Sequence, residues 1–150
     1  MMNEIGTSSA TKLEPKLLNL SCIYLPAKHP YTTAKWYSEI FDLETADFAP
    51  LDPNANLVVL NISNDIPGGG TIFFVQSNDK FSMNFNNIEG YNHAILMFQV
   101  KDIEEIYERM KEKGVELTTD GIKDRGGCGK EIAFFDPDGR KIEINDYGTR

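Results

Sequence analysis

Few side chains in this sequence suit nucleophilic or metal chemistry, since it contains two histidines, His29 and His93, and two cysteines, Cys22 and Cys128. Imidazole nitrogens and thiolates do such chemistry only where the fold brings further polar groups to them. His29 is followed by Pro30 at the start of a predicted helix, and we interpret it as a solvated loop residue. The cysteines lie far apart and form no C-x-x-C motif, so no disulfide-rich secreted scaffold is predicted.

A loop with four glycines, residues 120–129, surrounds Cys128. Its G-G-C-G-K run could suggest a reactive thiol or a phosphate cradle. A P-loop, however, has glycine at its first position and Ser or Thr after its lysine. Here Asp124 takes the first position and no hydroxyl residue follows Lys130. We therefore predict a flexible loop at the mouth of a cleft, in which Arg125 is a candidate anchor for an anionic ligand group.

Length and charge limit the class of protein. The chain has 150 residues, which is typical of one domain, and its 15 Lys and Arg against 23 Asp and Glu give a net charge of −8. Such a charge disfavours binding to nucleic acid and to anionic membranes. There is no apolar run long enough to span a bilayer, and residues 1–17 contain no signal-peptide core. We expect a cytoplasmic protein with neither nucleic acid nor membrane as a partner.

The pattern of apolar residues predicts the same order of elements twice. Each half begins with a strand and a helix and continues with three shorter strands. On the first helix, Trp36, Tyr37 and Phe41 form a stripe that predicts packing into the core. The predicted elements are a strand at 18–25, a helix at 30–43 and strands at 44–48, 57–62 and 71–75, then a strand at 93–100, a helix at 102–113 and strands at 115–118, 132–135 and 141–144.

This order predicts an α+β fold of two βαβββ modules. The domain spans 17–146, with module one at 17–77, a polar linker at 78–90, module two at 91–146, and tails at 1–16 and 147–150. We expect the modules to form one curved mixed sheet, with a helix on the outer side of each half and a cleft on the inner side. A cleft of this kind is the usual place for a small ligand.

The second half also carries a recognisable motif. A strand at 93–100 is followed by a helix, and the chain closes with F-x-D-P-D-G-x-x-I-E-I over residues 134–144. Over residues 17–146 the sequence resembles the glyoxalase, bleomycin-resistance and extradiol-dioxygenase superfamily, also called the vicinal oxygen chelate fold. The resemblance implies a homodimer that binds a small molecule.

The resemblance also implies positions for a metal site. Metal-dependent members place ligands on the first and last strands of the modules, where His93 matches the fifth-strand position and Glu143 the eighth. Depending on loop length, the first-strand position falls on Leu20, Cys22 or Ile23. A divalent metal such as Zn, Ni, Mn or Fe needs at least three protein ligands, so Cys22 completes the set in one alignment.

The fourth-strand position falls on Phe73 or Phe74, where an apolar ring favours stacking on an organic ligand. Three functions therefore remain open. The first is a protein that binds a small organic molecule in the cleft through His93 and Glu143, with or without a divalent metal. If it is a metal-dependent lyase or isomerase, the resemblance implies that the metal chelates two vicinal substrate oxygens, with Glu143 as a displaced ligand and general base. An antibiotic-sequestering protein of the bleomycin-resistance type would need no metal. A non-enzymatic interaction protein would keep the fold alone, with His93 and Glu143 as a hydrogen-bonded structural pair.

Overall fold

A computed structural model describes residues 12–62, 70–118 and 120–149. The predicted tail at 1–16 lies mostly outside the described residues. No helix in these ranges is long and apolar enough to cross a membrane. The elements are β1 (Cys22–Ala27), α1 (Pro30–Phe41), β2 (Leu57–Asn61), β3 (Thr71–Gln76), β4 (Asn84–Asn86), β5 (Asn92–Ala94), β6 (Met97–Gln99), α2 (Ile103–Glu112), β7 (Lys123–Asp124), β8 (Lys130–Phe135) and β9 (Lys141–Asn145).

Three sheets form from these strands. The sheet of module one has the order β1-β3-β2, and that of module two has the order β6-β9-β8-β7. In each of these two sheets, the strand that comes first in the chain runs parallel to the strand that comes last, which are β1 with β3 and β6 with β9. The remaining strand pairs of both sheets are antiparallel. The third sheet is a hairpin of β4 and β5. The α+β class and the mixed sheets of a glyoxalase-like fold are thereby confirmed.

Some predicted strands are shorter or divided. The strand at 93–100 is split, because its first part pairs with β4 in the hairpin and its last part pairs with β9. Within the predicted linker, β4 precedes a turn in which the N–H of Gly90 donates to the carbonyl of Asn87. The strands predicted at 44–48 and 115–118 are reduced to single bridges, Thr45 with Leu60 and Leu117 with Phe134.

Both helices lie between the two larger sheets. One apolar core contains Leu25 and Phe74 of module one together with Ile132 and Ile144 of module two and residues of both helices. We expected one continuous sheet with the helices outside it. The described strands instead form separate sheets whose helix-facing sides share a core, so the other side of each sheet points away from the other module. We call these sides the open face of module one and the open face of module two.

The F-x-D-P-D-G-x-x-I-E-I motif explains part of this arrangement. Its turn carries Asp136, which accepts hydrogen bonds from Tyr37 Oη of α1 at 2.8 Å and from Arg140 Nε at 2.8 Å. Arg140 Nη1 in turn donates to the carbonyl of Pro26 at the end of β1. Further hydrogen bonds offset the cost of burying an ion pair, and here the bonds to Tyr37 and Pro26 run from one module to the other. The turn therefore ties module two to module one.

Candidate functional site

Glu143 lies at the centre of the open face of module two. Strand residues alternate between faces, and because Ile142 and Ile144 are fully buried in the core, Glu143 points the other way. Its partners on the neighbouring strands are Met97 of β6 and Ala133 of β8. The carboxyl group is therefore half-buried between apolar neighbours on the central part of a sheet.

This position disfavours the charged form of the carboxylate. Burial raises the pKa of Glu143, and the nearby carboxylate of Glu131 raises it further. Electrostatic interactions with Lys141, His93 and Arg125 lower the pKa of Glu143, but less than burial and Glu131 raise it. A carboxyl with a raised pKa among apolar groups is suited to exchanging a proton with a ligand.

Arg125 lies at the edge of the same face. Its Nε donates to Glu131 Oε1, in a salt bridge whose arginine side chain is half exposed and whose glutamate is largely buried. The loop fixes this position through the N–H of Arg125, which donates to the carbonyl of Gly129 at 2.8 Å. Arg125 thus lies in the neighbourhood of Glu143, where an anionic ligand would have to share it with Glu131.

His93 is exposed on the β4–β5 hairpin. Its ring stacks on Phe85 with centroids 5.6 Å apart, and Asn87 Nδ2 lies 3.0 Å from its Nε2. Since the amide nitrogen is a donor, Nε2 accepts this hydrogen bond and the ring proton is assigned to Nδ1. In the described ranges His93 shares no hydrogen bond or ion pair with Glu143. The structural pair that the sequence left open is not formed.

Aromatic rings cover the open face of module one. The Phe73 ring of the central strand β3 lies 5.2 Å from Tyr24 and 6.0 Å from Phe48, measured between centroids. Tyr24 and Phe48 are 68% and 70% exposed. Cys22 precedes Tyr24 by two residues on the same face, and its thiol, hydrogen-bonded to the tyrosine, raises the pKa of Tyr24. The face combines exposed rings with one thiol.

The other candidates of module one lie elsewhere. Phe74 is fully buried on the helix-facing side, where its ring lies 5.2 Å from that of Tyr37, so it has no access to a ligand on the open face. Ile23 packs against the core, and Leu20 precedes β1 as an exposed apolar residue. Among the first-strand candidates, Cys22 is the one with a ligating side chain on the open face.

These positions do not assemble a metal site in one copy of the chain. Cys22 lies on the open face of module one, whereas His93 and Glu143 belong to module two on the far side of the core. The part of the chain that is described contains no group of three His, Cys, Asp or Glu residues that could hold a metal ion. Two candidate ligands alone do not fit a divalent metal.

Sequence reasoning missed Glu131, Tyr24 and Phe48. Glu131 could have been found by strand alternation, since it precedes Ala133 by two residues and so shares the open face with Glu143. Tyr24 shares a face with Cys22 for the same reason. Phe48 lies in an irregular segment after α1, and no local pattern predicts its contact with Phe73.

Comparison with known proteins agrees with this fold. Residues 19–144 match the family model of the Glyoxalase/Bleomycin resistance protein/Dioxygenase superfamily, and the chain belongs to that superfamily. A search of curated proteins gives no match at the significance required.

Solved structures with the same fold include proteins of different roles. The fosfomycin resistance protein FosX of Listeria monocytogenes is 21% identical, with a TM-score of 0.61 over 91% of this chain and 94% of its own. A FosX mutant in complex with Mn(II) and 1S,2S-dihydroxypropylphosphonic acid is 22% identical, with a TM-score of 0.59 over 91% and 95%. TioX of Micromonospora sp. ML1 is 13% identical, with a TM-score of 0.62 over 87% and 99%. At these identities the likeness establishes the fold alone.

Proposed function

We propose that the protein binds a small organic molecule on the open face of module two, with Glu143 as the central polar group. The observation that carries this proposal is the half-buried carboxyl of Glu143, set between Met97 and Ala133 with its pKa raised. Arg125 and Glu131 provide a polar edge beside it. A few polar groups placed on an otherwise apolar surface are typical of small-molecule sites.

A homodimer would complete this site. The open face of module one exposes Tyr24 and Phe48, and that of module two exposes Met97 and Ile95. Contiguous exposed apolar surface of this kind marks a binding or association surface. In the proposed dimer, the open face of module one of one copy closes over the open face of module two of the other. Phe73 would then stack on the ligand beside Glu143.

A divalent metal is compatible with this dimer but not with one copy. His93 and Glu143 of one copy would need Cys22 of a second copy as the third ligand, and Asn87 would have to release His93 Nε2. The FosX complex with Mn(II) supports a metal in this fold. When bound, such a metal would supply Lewis-acid stabilisation of ligand oxygens. Glu143 would hold or move a proton at its carboxylate whether or not a metal binds.

Sequestration of a cationic drug is the second candidate. Glu131 and Glu143 place two carboxylates on one open face, and the rings around Phe73 would stack on a planar ligand. Binding without turnover would need no metal. A lyase or isomerase would instead convert its ligand and lose activity when the metal is removed.

Thermal unfolding tests the proposal. The protein is heated with Mn, Ni, Zn, Co or Fe(II), with a panel of small organic acids and diols, and with bleomycin-type cations. The variants are Glu143→Gln and, as a matched control on the exposed side of α2, Glu112→Gln. We expect at least one ligand to raise the midpoint of the protein and of Glu112→Gln but not of Glu143→Gln. Equal responses of both variants to every ligand, or no response at all, would overturn the proposal.

A further inference from the structure

A second cavity lies at the junction between the modules, apart from the proposed site. Its volume is about 540 Å³, and it opens where β1 ends, where the chain leaves β3, and where the turn after β8 passes. Lys28, Lys80, Asp138 and Arg140 are among its lining residues. No residue of either open face that we assign to the proposed ligand site lines it, so its properties are independent of Glu143.

Arg140 gives this cavity an unsatisfied donor. The side chain is 2% exposed, Nε is bonded to Asp136, and Nη1 is bonded to the carbonyl of Pro26. Nη2 has no hydrogen-bond acceptor and lies 3.6 Å from Asp138 Oδ2, another lining residue. Arg140 is thus a buried cation in the wall of the cavity, and its Nη2 is paired only loosely with Asp138. A buried donor without an acceptor is costly and calls for an explanation.

The charges around the cavity add to this donor. Lys28 and Lys80 form no ion pair with any of the residues described, so both ammonium groups are free to bind a ligand. The two oxygens of Asp138 already accept from the N–H of Lys28 at 3.1 Å and from Thr33 Oγ1 at 2.5 Å. Asp79 is the remaining acid, so the lining carries three cationic and two anionic side chains within a chain of net charge −8.

We propose that this cavity binds a small phosphate ester through its phosphate group. The oxyanion would lie between the ammonium groups of Lys28 and Lys80, with the buried positive charge of Arg140 behind it. A phosphate carries up to two negative charges and several acceptor oxygens, which suit two ammonium donors with a third positive charge close behind them. The volume is typical of small-molecule sites, and Phe81 and Pro137 offer apolar surface for the organic part.

The site would join both modules and the segment between them. Lys28 follows β1, Lys80 follows β3, and Arg140 precedes β9. A ligand held by all three binds the folded chain and has no equivalent site in the unfolded chain. Binding would therefore raise the unfolding midpoint in proportion to the logarithm of the ligand concentration.

Thermal unfolding in inorganic phosphate, compared with sodium chloride of equal ionic strength, tests this proposal. Phosphate also stabilises proteins because it is excluded from their surface. The midpoint of each variant in phosphate is therefore compared with the midpoint of the same variant in sodium chloride. Lys28→Gln with Lys80→Gln removes the site, whereas Lys12→Gln with Lys16→Gln changes the charge equally on exposed residues that do not line the cavity. We expect the midpoint of the protein and of the control to rise with the logarithm of the phosphate concentration above the Kd, by about 5 °C at roughly 100 times the Kd.

The double variant of Lys28 and Lys80 is expected to lack the logarithmic component and to show only the smaller, gradual rise caused by exclusion of phosphate from the protein surface. An identical response in the two double variants would overturn the phosphate site. Glu143→Gln is measured in parallel and is expected to keep the full phosphate response. Failure of the proposed function at Glu143 is thereby distinguished from failure of this site.

Discussion

Tyr37 of α1 donates a hydrogen bond to Asp136 of the turn between β8 and β9 at 2.8 Å, and both groups are buried. The bond crosses from module one to module two. The same carboxylate accepts from Arg140 and from the N–H groups of Asp138 and Arg140. The sequence motif that indicates the superfamily is thus, in this chain, chiefly a junction between modules.

Tyr37→Phe is expected to destabilise the protein by about 1–3 kcal/mol, because it removes one donor from a buried carboxylate and leaves the ring packing unchanged. Urea unfolding measures the change as a lower midpoint with an unchanged slope. Tyr91→Phe, at an exposed tyrosine of the hairpin, is the matched control. Equal midpoints for both variants would contradict a stabilising role of this bond.

The same bond predicts a dependence on alkaline pH. Burial raises the pKa of Tyr37 well above its usual value of 10.0, and Asp136 raises it further. Above pH 10 the unfolded state has lost the Tyr37 proton while the native state keeps it, so the unfolded state binds fewer protons and stability falls as pH rises. Tyr37→Phe should show a shallower loss of stability above pH 10 than Tyr91→Phe. Parallel curves for the two variants would exclude this linkage.

The two helices of the fold were predictable from sequence, whereas the strands were predictable only in part and the packing of these elements was not. Periodicity placed the helices at 30–43 and 102–113, and the structure has them at Pro30–Phe41 and Ile103–Glu112. The stripe around Trp36 predicted burial correctly. It did not show that the ring would lie 5.7 Å from Phe134 of the other module, because period and propensity contain no information on which apolar faces meet.

Glu143→Gln is expected to stabilise the protein slightly at neutral pH. The folded state raises the pKa of Glu143 above its usual 4.5, so the native state disfavours the charge. The stability that this group contributes is present below pH 4.5 and is lost as pH rises through its folded pKa. An amide does not ionise, so the variant should gain at pH 7 and lose that gain toward pH 4. Chemical denaturation at both pH values measures this difference in the free energy of unfolding, with Glu112→Gln as the control. A gain that is the same at pH 7 and pH 4 would contradict a raised pKa of Glu143.

The candidate site was predictable only in part. Glu143 and Arg125 do lie near one another, since both belong to one module and strand alternation fixes their face. Cys22 and Glu143 belong to different modules, so their relation depends on how the two sheets pack. The choice between Phe73 and Phe74 depends on which alternate residues of β3 meet the helices, and in a strand that is apolar on both sides the sequence does not decide this.

Tyr24→Ser is expected to weaken the proposed homodimer. Tyr24 exposes its ring beside Phe73 on the open face of module one, where truncation removes apolar contact area but no support from the core. Aromatic residues at the centre of an interface contribute most to association, commonly 2 kcal/mol or more, which corresponds to about a 30-fold higher dissociation constant. Sedimentation over a range of protein concentrations measures this constant. Tyr31→Ser on α1, away from both open faces, is the control and should dimerise like the parent chain. A parent chain that stays monomeric at all concentrations, or equal weakening by both variants, would contradict association through this face.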